Sequence, residues 1–217
     1  MKFHKIPKSA LSEKVAEQLR ALIINGTLPP ETRLVEREIA DLINVSRTPM
    51  REAFFELARE GLIEKTGNRG FAVSKFNADE VRESYKLIGL IERFLLEDQG
   101  DFSETKLKQL KAINNKLLKN SNDAEKFIET DNLWHSALLA ESENPKTLRI
   151  LFDLKKVSAR YEIAFFNNLG NPFQSYAEHD GIIRELASGN KKRAGKLLES
   201  HWQGTFTLLK NLGKLSN

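Results

Sequence analysis

The sequence predicts a mainly α protein, with an N-terminal winged helix-turn-helix followed by an antiparallel bundle of six helices. An arginine-rich helix start comes after a short helix and a tight turn, and a glycine-containing hairpin follows it. From Asp79 onward the helical pattern continues almost without a break, interrupted only by short polar turns. We therefore expect two domains, residues 1–75 and residues 79–217, coupled mechanically by a short connection.

The composition excludes several classes of protein. The chain has 217 residues, a net charge of +4 and no cysteine, so a disulfide framework is excluded. It has no apolar run near the length of a membrane span, and its N-terminus lacks the apolar core of a signal peptide. Residues 1–75 hold 13 Lys and Arg against 10 Asp and Glu, which is most of the basic excess. We expect a cytoplasmic protein with no membrane partner.

The N-terminal domain opens with an amphipathic helix. Apolar residues recur at three- and four-residue steps over residues 11–23, and Asn25-Gly26 ends this pattern. A short helix over residues 36–43 follows, and Asn44-Val45 then forms a tight turn. This order is typical of the first half of a helix-turn-helix.

The next helix carries polar groups at its start and an apolar face behind them. Ser46 or Thr48 can cap it, because a hydroxyl oxygen accepts a hydrogen bond from a first-turn amide, and Pro49 is tolerated there. This helix should run to Gly61. Two strands, over residues 62–66 and 71–74, should then form a hairpin, the wing.

The helix start has the side chains that sequence readout in the major groove requires, because arginine to guanine is the commonest specific pairing. A capped, solvated helix start is the alternative, but it does not explain why the turn, the arginines and the hairpin follow one another. The residues predicted from this pattern to contact DNA are Arg37, Arg47, Thr48, Arg51, Gly67, Asn68 and Arg69.

The stretch from about residue 11 to residue 73 resembles the GntR family of bacterial regulators. This resemblance implies DNA contacts at Arg37, Arg47, Thr48, Arg51 and Gly67, and adds Ser46. One departure is Glu31, where such sequences usually carry glycine after proline; it bears on the local turn and not on the groove contacts. The motifs that carry the resemblance include Leu34-Val35-Glu36-Arg37-Glu38-Ile39-Ala40, Val45-Ser46-Arg47-Thr48-Pro49-Met50-Arg51-Glu52-Ala53, Glu60-Gly61-Leu62-Ile63 and Arg69-Gly70-Phe71-Ala72-Val73.

Three of the four histidines lie where they can meet one aspartate. Asp131 and His135 are four residues apart, so on a helix their side chains lie about 6 Å apart on one face. His179 and His201 lie on inward-facing stripes at comparable distances before and after the turn Gly189-Asn190. In an antiparallel helix pair each would lie about 15 Å from that turn, and so at the same level.

Three imidazoles and one carboxylate suit a divalent transition metal. Zinc is the first choice, and nickel and manganese also fit this set of ligands. A hydrogen-bonded polar network in the core, or unrelated half-buried histidines, would be the alternative. The matching positions of Asp131, His135, His179 and His201 favour the metal site.

The C-terminal half resembles the metal-binding version of the all-helical effector domain found in the FadR-type branch of the same family, the FCD domain. The resemblance rests on Asp131 and His135, on Glu178-His179, on Gly189-Asn190 and on His201. It implies a metal-assisted pocket for a small organic acid, and a homodimer. One departure is Ile88, which stands where such domains commonly present a carboxylate-binding arginine. Arg160 is a candidate substitute for that arginine in binding the effector.

Together these features predict a ligand-responsive regulator, on family resemblance a repressor, that binds a double-stranded DNA operator as a homodimer. Two alternatives stay open at this point. A metal-dependent hydrolase or isomerase would use the metal to activate water, although no second acid or base is evident beside the site. In the other alternative the metal is purely structural and no effector binds.

Overall fold

A computed structural model describes residues 10–67, 70–165 and 172–211 of the chain. The chain divides into two compact units, Met1–Phe76 and Asn77–Asn217. Within the described residues, no helix is both long and apolar enough to cross a membrane.

The first unit is a winged helix-turn-helix, as the sequence predicts. The apolar faces of its first and third helices pack on each other and on the wing, with Val15, Leu19, Met50, Phe54 and Leu57 at or below 5% exposure. The core is therefore built from the residues whose spacing predicted the helices. The elements of this unit are α1 (Ala10–Ile24), β1 (Arg33–Leu34), α2 (Glu36–Leu42), α3 (Arg47–Arg59), β2 (Ile63–Lys65) and β3 (Phe71–Val73).

The wing contains one strand more than the sequence predicted. Its sheet has the order β1-β3-β2, and both pairings are antiparallel. Arg33 lies opposite Ala72, and Leu34 lies opposite Phe71. A strand of two residues is too short for an alternating pattern, so β1 is detectable only through its pairing with β3.

The N-cap residues of α3 and of the first helix of the second unit differ in their hydrogen bonds. Ser46 is the N-cap residue of α3, but its side chain makes no capping hydrogen bond, so the expected role of its hydroxyl is not realised. Asn77 caps the first helix of the second unit, because its Oδ1 accepts hydrogen bonds from the backbone nitrogens of Asp79 at 2.9 Å and Glu80 at 3.3 Å.

Glu31, which stands where similar sequences usually carry glycine, adopts the left-handed backbone conformation. Its φ angle is 68°, and its backbone nitrogen donates to the carbonyl oxygen of Val73 at 2.8 Å. A side chain with a Cβ atom is strained in this region, whereas glycine is not. Asn44 also has a positive φ, 54°, which asparagine tolerates better than most residues.

Glu31→Gly should therefore stabilise the first unit by about 0.5–1 kcal/mol, since relief of the strain exceeds the added chain entropy. Denaturant unfolding of the full chain would measure this change. Glu31→Ala is the matched control, because it keeps a Cβ and loses only the exposed ion pair of Glu31 with Lys75, which spans 3.0 Å. Equal free energies of unfolding of the glycine and alanine variants would show that the backbone at residue 31 is not strained by a Cβ atom.

The second unit is all-helical within its described residues, and its helix boundaries fall at the polar turns seen in the sequence. The first and last of its helices pack closely, since Gly89 lies against Glu199 and Trp202, and Gly195 lies against Arg93 and Glu97. The six helices are α4 (Ala78–Asp98), α5 (Glu104–Lys119), α6 (Ala124–Leu138), α7 (Pro145–Phe165), α8 (Pro172–Ala187) and α9 (Lys191–Asn211).

Candidate nucleic-acid interface and candidate metal centre

The start of α3 presents polar side chains to solvent, because the apolar residues of this helix are turned to the core. Ser46, Arg47, Thr48 and Arg51 are all exposed, while Pro49 is buried beside them. A proline is tolerated at this place because a first-turn residue needs no backbone N–H partner within the helix. The first two turns of α3 thus carry donors able to reach base edges.

Two acidic residues of α2 lie next to predicted DNA contacts. Arg51 Nε lies 3.4 Å from Glu36 Oε2, and Arg37 Nε lies 3.7 Å from Asp41 Oδ2. The sequence did not predict the ion pair of Glu36 with Arg51, because residue spacing within one helix does not tell which residues of α2 and α3 approach each other. These ion pairs are exposed, so they restrain the arginines only weakly.

Gly67 lies between β2 and β3, and it is the last described residue before the tip of the wing. Its φ angle is 54°, and a Cβ atom added there would meet nothing within 4 Å. Backbone conformation, and not crowding within the protein, therefore favours glycine at this position. Asn68 and Arg69, which the sequence also predicted to contact DNA, lie outside the described residues.

The structure brings the four predicted metal ligands together. One ligand atom from each of Asp131, His135, His179 and His201 lies within 4.8 Å of the others. The aspartate and His135 come from α6, His179 from α8 and His201 from α9. All three imidazoles are buried, and the Asp131 side chain is only 15% exposed.

The Nδ1 atom of each histidine is held by an oxygen acceptor. Glu92 Oε2 lies 2.8 Å from His135 Nδ1, and Glu178 Oε2 lies 2.6 Å from His201 Nδ1. Because an ionised carboxylate can only accept, these Nδ1 atoms carry the hydrogen. Holding an imidazole through Nδ1 leaves the Nε2 lone pair for a metal.

Asn114 holds the third imidazole in the same way. Its Oδ1 lies 3.2 Å from His179 Nδ1, while its Nδ2 donates to the backbone oxygen of Tyr176 at 3.0 Å. The second hydrogen bond fixes which end of the amide faces His179, since only the nitrogen of the amide can donate. All three histidines are thus oriented by oxygen atoms behind them.

The inner atoms of the cluster are acceptors that face one another. His135 Nε2 lies 3.6 Å from Asp131 Oδ2, and His179 Nε2 lies 3.7 Å from Asp131 Oδ1. Both Nε2 atoms and Asp131 Oδ1 are buried with no hydrogen-bond partner among the described residues. Lone pairs collected in this way are costly unless a cation lies between them, so the residues fit a metal ion.

Lowered pKa values favour, for two of the imidazoles, the neutral form that binds metal. Burial lowers the pKa of His179, and the neighbouring positive charges lower it further. Burial also lowers the pKa of His135, although Glu92 partly opposes this shift. His201 differs, because Glu178 and other nearby carboxylates outweigh burial and raise its pKa.

Glu92 is a fully buried carboxylate that the sequence analysis overlooked. Its Oε2 also accepts from Trp202 Nε1 at 2.7 Å, and its Oε1 lies 2.7 Å from Lys155 Nζ. Burial works to raise the pKa of Glu92, but His135 and Lys155 outweigh it and hold this pKa well below its usual range. The helical spacing of Glu92 from the apolar residues Ile88 and Leu95 could have revealed its inward position.

Arg160, the predicted substitute for the carboxylate-binding arginine, is buried near the start of α4. Its Nη2 donates to Tyr161 Oη at 2.8 Å and lies 3.6 Å from Glu80 Oε2. These partners are separate from the metal-ligand cluster, so its effector-binding role stays a prediction. Ile88, which stands where similar domains commonly carry a carboxylate-binding arginine, is fully buried.

Comparison with known proteins decides the family. Residues 11–73 match the model of the bacterial regulatory proteins of the gntR family, and residues 85–204 match that of the FCD domain. The chain belongs to the GntR family, with an FCD domain. It is therefore a DNA-binding transcriptional regulator and not an enzyme, which removes the hydrolase and isomerase alternative.

Similar transcriptional regulators match between 70% and 91% of the chain. A regulator from Bacillus subtilis, YdhC, is 27% identical over 90% of this chain and 89% of its own length. The transcriptional repressor RspR of Escherichia coli is 27% identical over 91% of this chain and 88% of its own length. The gluconate operon repressor of Bacillus licheniformis is 30% identical over 70% of this chain and 63% of its own length.

Solved structures show the same GntR fold. A GntR regulator from Rhodococcus sp. RHA1 superimposes with a TM-score of 0.73 at 23% identity, covering 94% of this chain and 99% of its own. McbR/YncC of Escherichia coli has a TM-score of 0.69 at 20% identity, covering 95% of this chain and 100% of its own.

Proposed function

We propose that the protein is a cytoplasmic repressor that binds its operator as a homodimer and releases it when a small organic acid binds beside a metal in the FCD domain. The cluster of Asp131, His135, His179 and His201 carries this proposal, because a bound cation would satisfy its buried inner acceptors. Zinc fits three imidazoles and a carboxylate best, and nickel or manganese could replace it. RspR and the gluconate operon regulator, named repressors, support repression.

For the DNA contacts we propose the exposed start of α3 and the residues beside it. Arg47, Thr48 and Arg51 would read base edges, since their donors face solvent on the first turns of the helix. Arg37 and Ser46 would contact phosphates or the same groove, and Gly67, Asn68 and Arg69 would contact the backbone or minor groove at the wing.

For the effector we propose a small organic acid whose carboxylate binds at the metal cluster. A bound metal would supply the positive charge that a carboxylate needs in this buried place. The chain itself would contribute the oriented imidazoles of His135, His179 and His201 and the ammonium of Lys155, which is largely buried beside Glu92.

An apolar stripe on α4 supports the homodimer. Leu87, Leu90 and Phe94 recur at three- and four-residue steps, so they lie on one face of the helix, and all three are exposed. An exposed apolar stripe can be buried against its own copy about a two-fold axis. Such a dimer would present two recognition helices to the two halves of a pseudopalindromic operator.

A hydrogen-bond network at the start of α4 offers a route from the effector to the DNA-binding domain. Tyr161 Oη donates to Glu80 at 3.0 Å and accepts from the backbone nitrogen of Asn77 at 3.5 Å. Asn77 directly follows the connection between the two units. A shift of α7 on effector binding would therefore change the cap where the second unit begins, which could favour the state with lower DNA affinity.

An operator titration tests the proposal. An operator would first be selected from random DNA with the full-length protein, and its affinity then measured with small organic acids in zinc-loaded and chelator-treated protein. We expect an acid to weaken DNA binding by about 5- to 150-fold, the usual range of coupling, only in the zinc-loaded form. If the protein binds zinc but no acid changes its DNA affinity, the proposed response to an organic acid is excluded. If chelation unfolds the protein and no acid acts, the metal is purely structural.

A further inference from the structure

Helix α3 contains two adjacent phenylalanines whose surroundings differ. Phe54 is fully buried, and its ring packs edge-on against the Phe71 ring with 5.2 Å between the ring centres. Phe55 is 61% exposed, and the hydrophobic core of the first unit is built from other described residues. The fold therefore does not require the Phe55 ring, which presents a large apolar surface to solvent on the helix that we propose reads DNA.

The Phe55 side chain lies on the same face of α3 as two of the proposed base contacts. Thr48, Arg51 and Phe55 follow one another at steps of three and four residues, which place side chains above one another on a helix. All three are exposed, and so are Glu52 and Arg59 beside them. The ring is thus continuous with the proposed DNA-reading surface and lies between two arginines that attract a polyanion.

The distance along the helix keeps this ring within reach of the same groove. The Cα atom of Phe55 lies about 6 Å beyond that of Arg51, at 1.5 Å per residue. Helical side chains lean toward the N-terminus, so the ring covers the turn that carries Arg51. Base pairs are about 3.4 Å apart along the duplex, and the ring therefore reaches bases within about two base pairs of those that Arg51 contacts.

The chemistry of the ring decides which base edge suits it. Phenylalanine has no hydrogen-bond donor or acceptor, so it cannot pair with the polar groups that line most of the major groove. The apolar group exposed there is the C5-methyl group of thymine, and phenylalanine is one of the side chains that contact it. Such a contact removes apolar surface of both partners from water, whereas contact with a phosphate would offer the ring no comparable gain.

We propose that Phe55 is a specificity-determining residue that contacts the C5-methyl group of a thymine in the major groove of the operator. This inference rests on the proposed function, because it takes α3 to be the recognition helix. It adds a base preference within about two base pairs of the base that Arg51 contacts in each half-site.

The test replaces the thymines of the selected operator one at a time by deoxyuridine, which lacks only the C5-methyl group. Titration would give the affinity of full-length wild type and Phe55→Ala for each form. We expect wild type to lose about fourfold in affinity at one thymine of each half-site, which is roughly the contribution of one buried methyl-sized group. Phe55→Ala should bind the thymine and deoxyuridine forms equally at that position.

Two further variants are the controls. Leu11→Ala removes an exposed apolar side chain from α1, which is not among the proposed DNA contacts, and should keep the wild-type ratio of thymine to deoxyuridine affinity. Thr48→Ser removes a methyl group from the same face of α3. A thymine that Thr48 contacts would lose its effect in this variant and keep it in Phe55→Ala, so the two contacts are separable.

Three results would overturn this inference. If wild type binds both forms equally at every position, or if each difference persists in Phe55→Ala, Phe55 does not contact a thymine methyl group, while α3 remains the proposed recognition helix. If Phe55→Ala changes the oligomeric state and leaves the ratio unaltered, the ring packs in a protein interface. If Arg47→Ala and Arg51→Ala also keep the operator preference, the proposed DNA contacts of α3 fail together with this inference.

Discussion

Arg47→Ala and Arg51→Ala should each abolish most of the preference for the operator while leaving the fold intact. Both side chains are exposed at the start of α3, so their loss disturbs no packing. A good arginine pairing with a base contributes about 1–3 kcal/mol of discrimination, which corresponds to a loss of about 5- to 150-fold in the ratio of specific to non-specific affinity. Competition binding between the operator and unrelated DNA would measure this ratio.

Arg59→Ala is the matched control for these variants. Arg59 is an exposed arginine in the last turn of the same helix, so its removal takes away the same charge without removing a side chain at the helix start. We expect it to leave the specificity ratio within a few-fold of wild type. Unaltered operator preference in Arg47→Ala and Arg51→Ala would exclude α3 as the recognition helix.

His179→Ala should remove most of the bound metal and, with it, the response of DNA binding to acids. His179 Nε2 is a buried inner acceptor of the cluster, so no other described side chain replaces it without movement. The loss of metal affinity should exceed the roughly 10- to 100-fold that loss of an outer hydrogen-bond partner costs. Metal analysis of the purified variant and titration with zinc would measure it.

Asn114→Ala gives a graded comparison for that experiment. It removes the acceptor behind His179 Nδ1 but keeps all four ligands, so we expect a loss of metal affinity of roughly 10- to 100-fold. His4→Ala changes the one histidine outside the cluster and should retain full metal content. Wild-type metal content in His179→Ala would exclude the cluster as the metal site.

Local pattern was sufficient for most of the architecture. The apolar steps of α1 and α3 predicted buried faces, and the polar turn Gly189-Asn190 predicted the boundary between α8 and α9. Strand β1 could not be predicted in this way, because two residues carry no period and the pairing with β3 joins distant parts of the chain. For Ser46 the sequence predicted the position correctly but not the interaction. Ser46 is the N-cap residue of α3, but its hydroxyl forms no capping hydrogen bond.

The sequence by itself determined the order of the two domains and, through its motifs, the family. It also predicted that Asp131, His135, His179 and His201 would meet, because helical periodicity and distance from a turn are local properties of the chain. Only the tertiary structure decided which atoms those residues turn inward. The acceptors behind His135, His179 and His201 lie 43, 65 and 23 residues away in the chain, on other helices in each case. Lys155 likewise reaches Glu92 only through the packing of α7, since a helix period tells which residues share a face but not what that face meets.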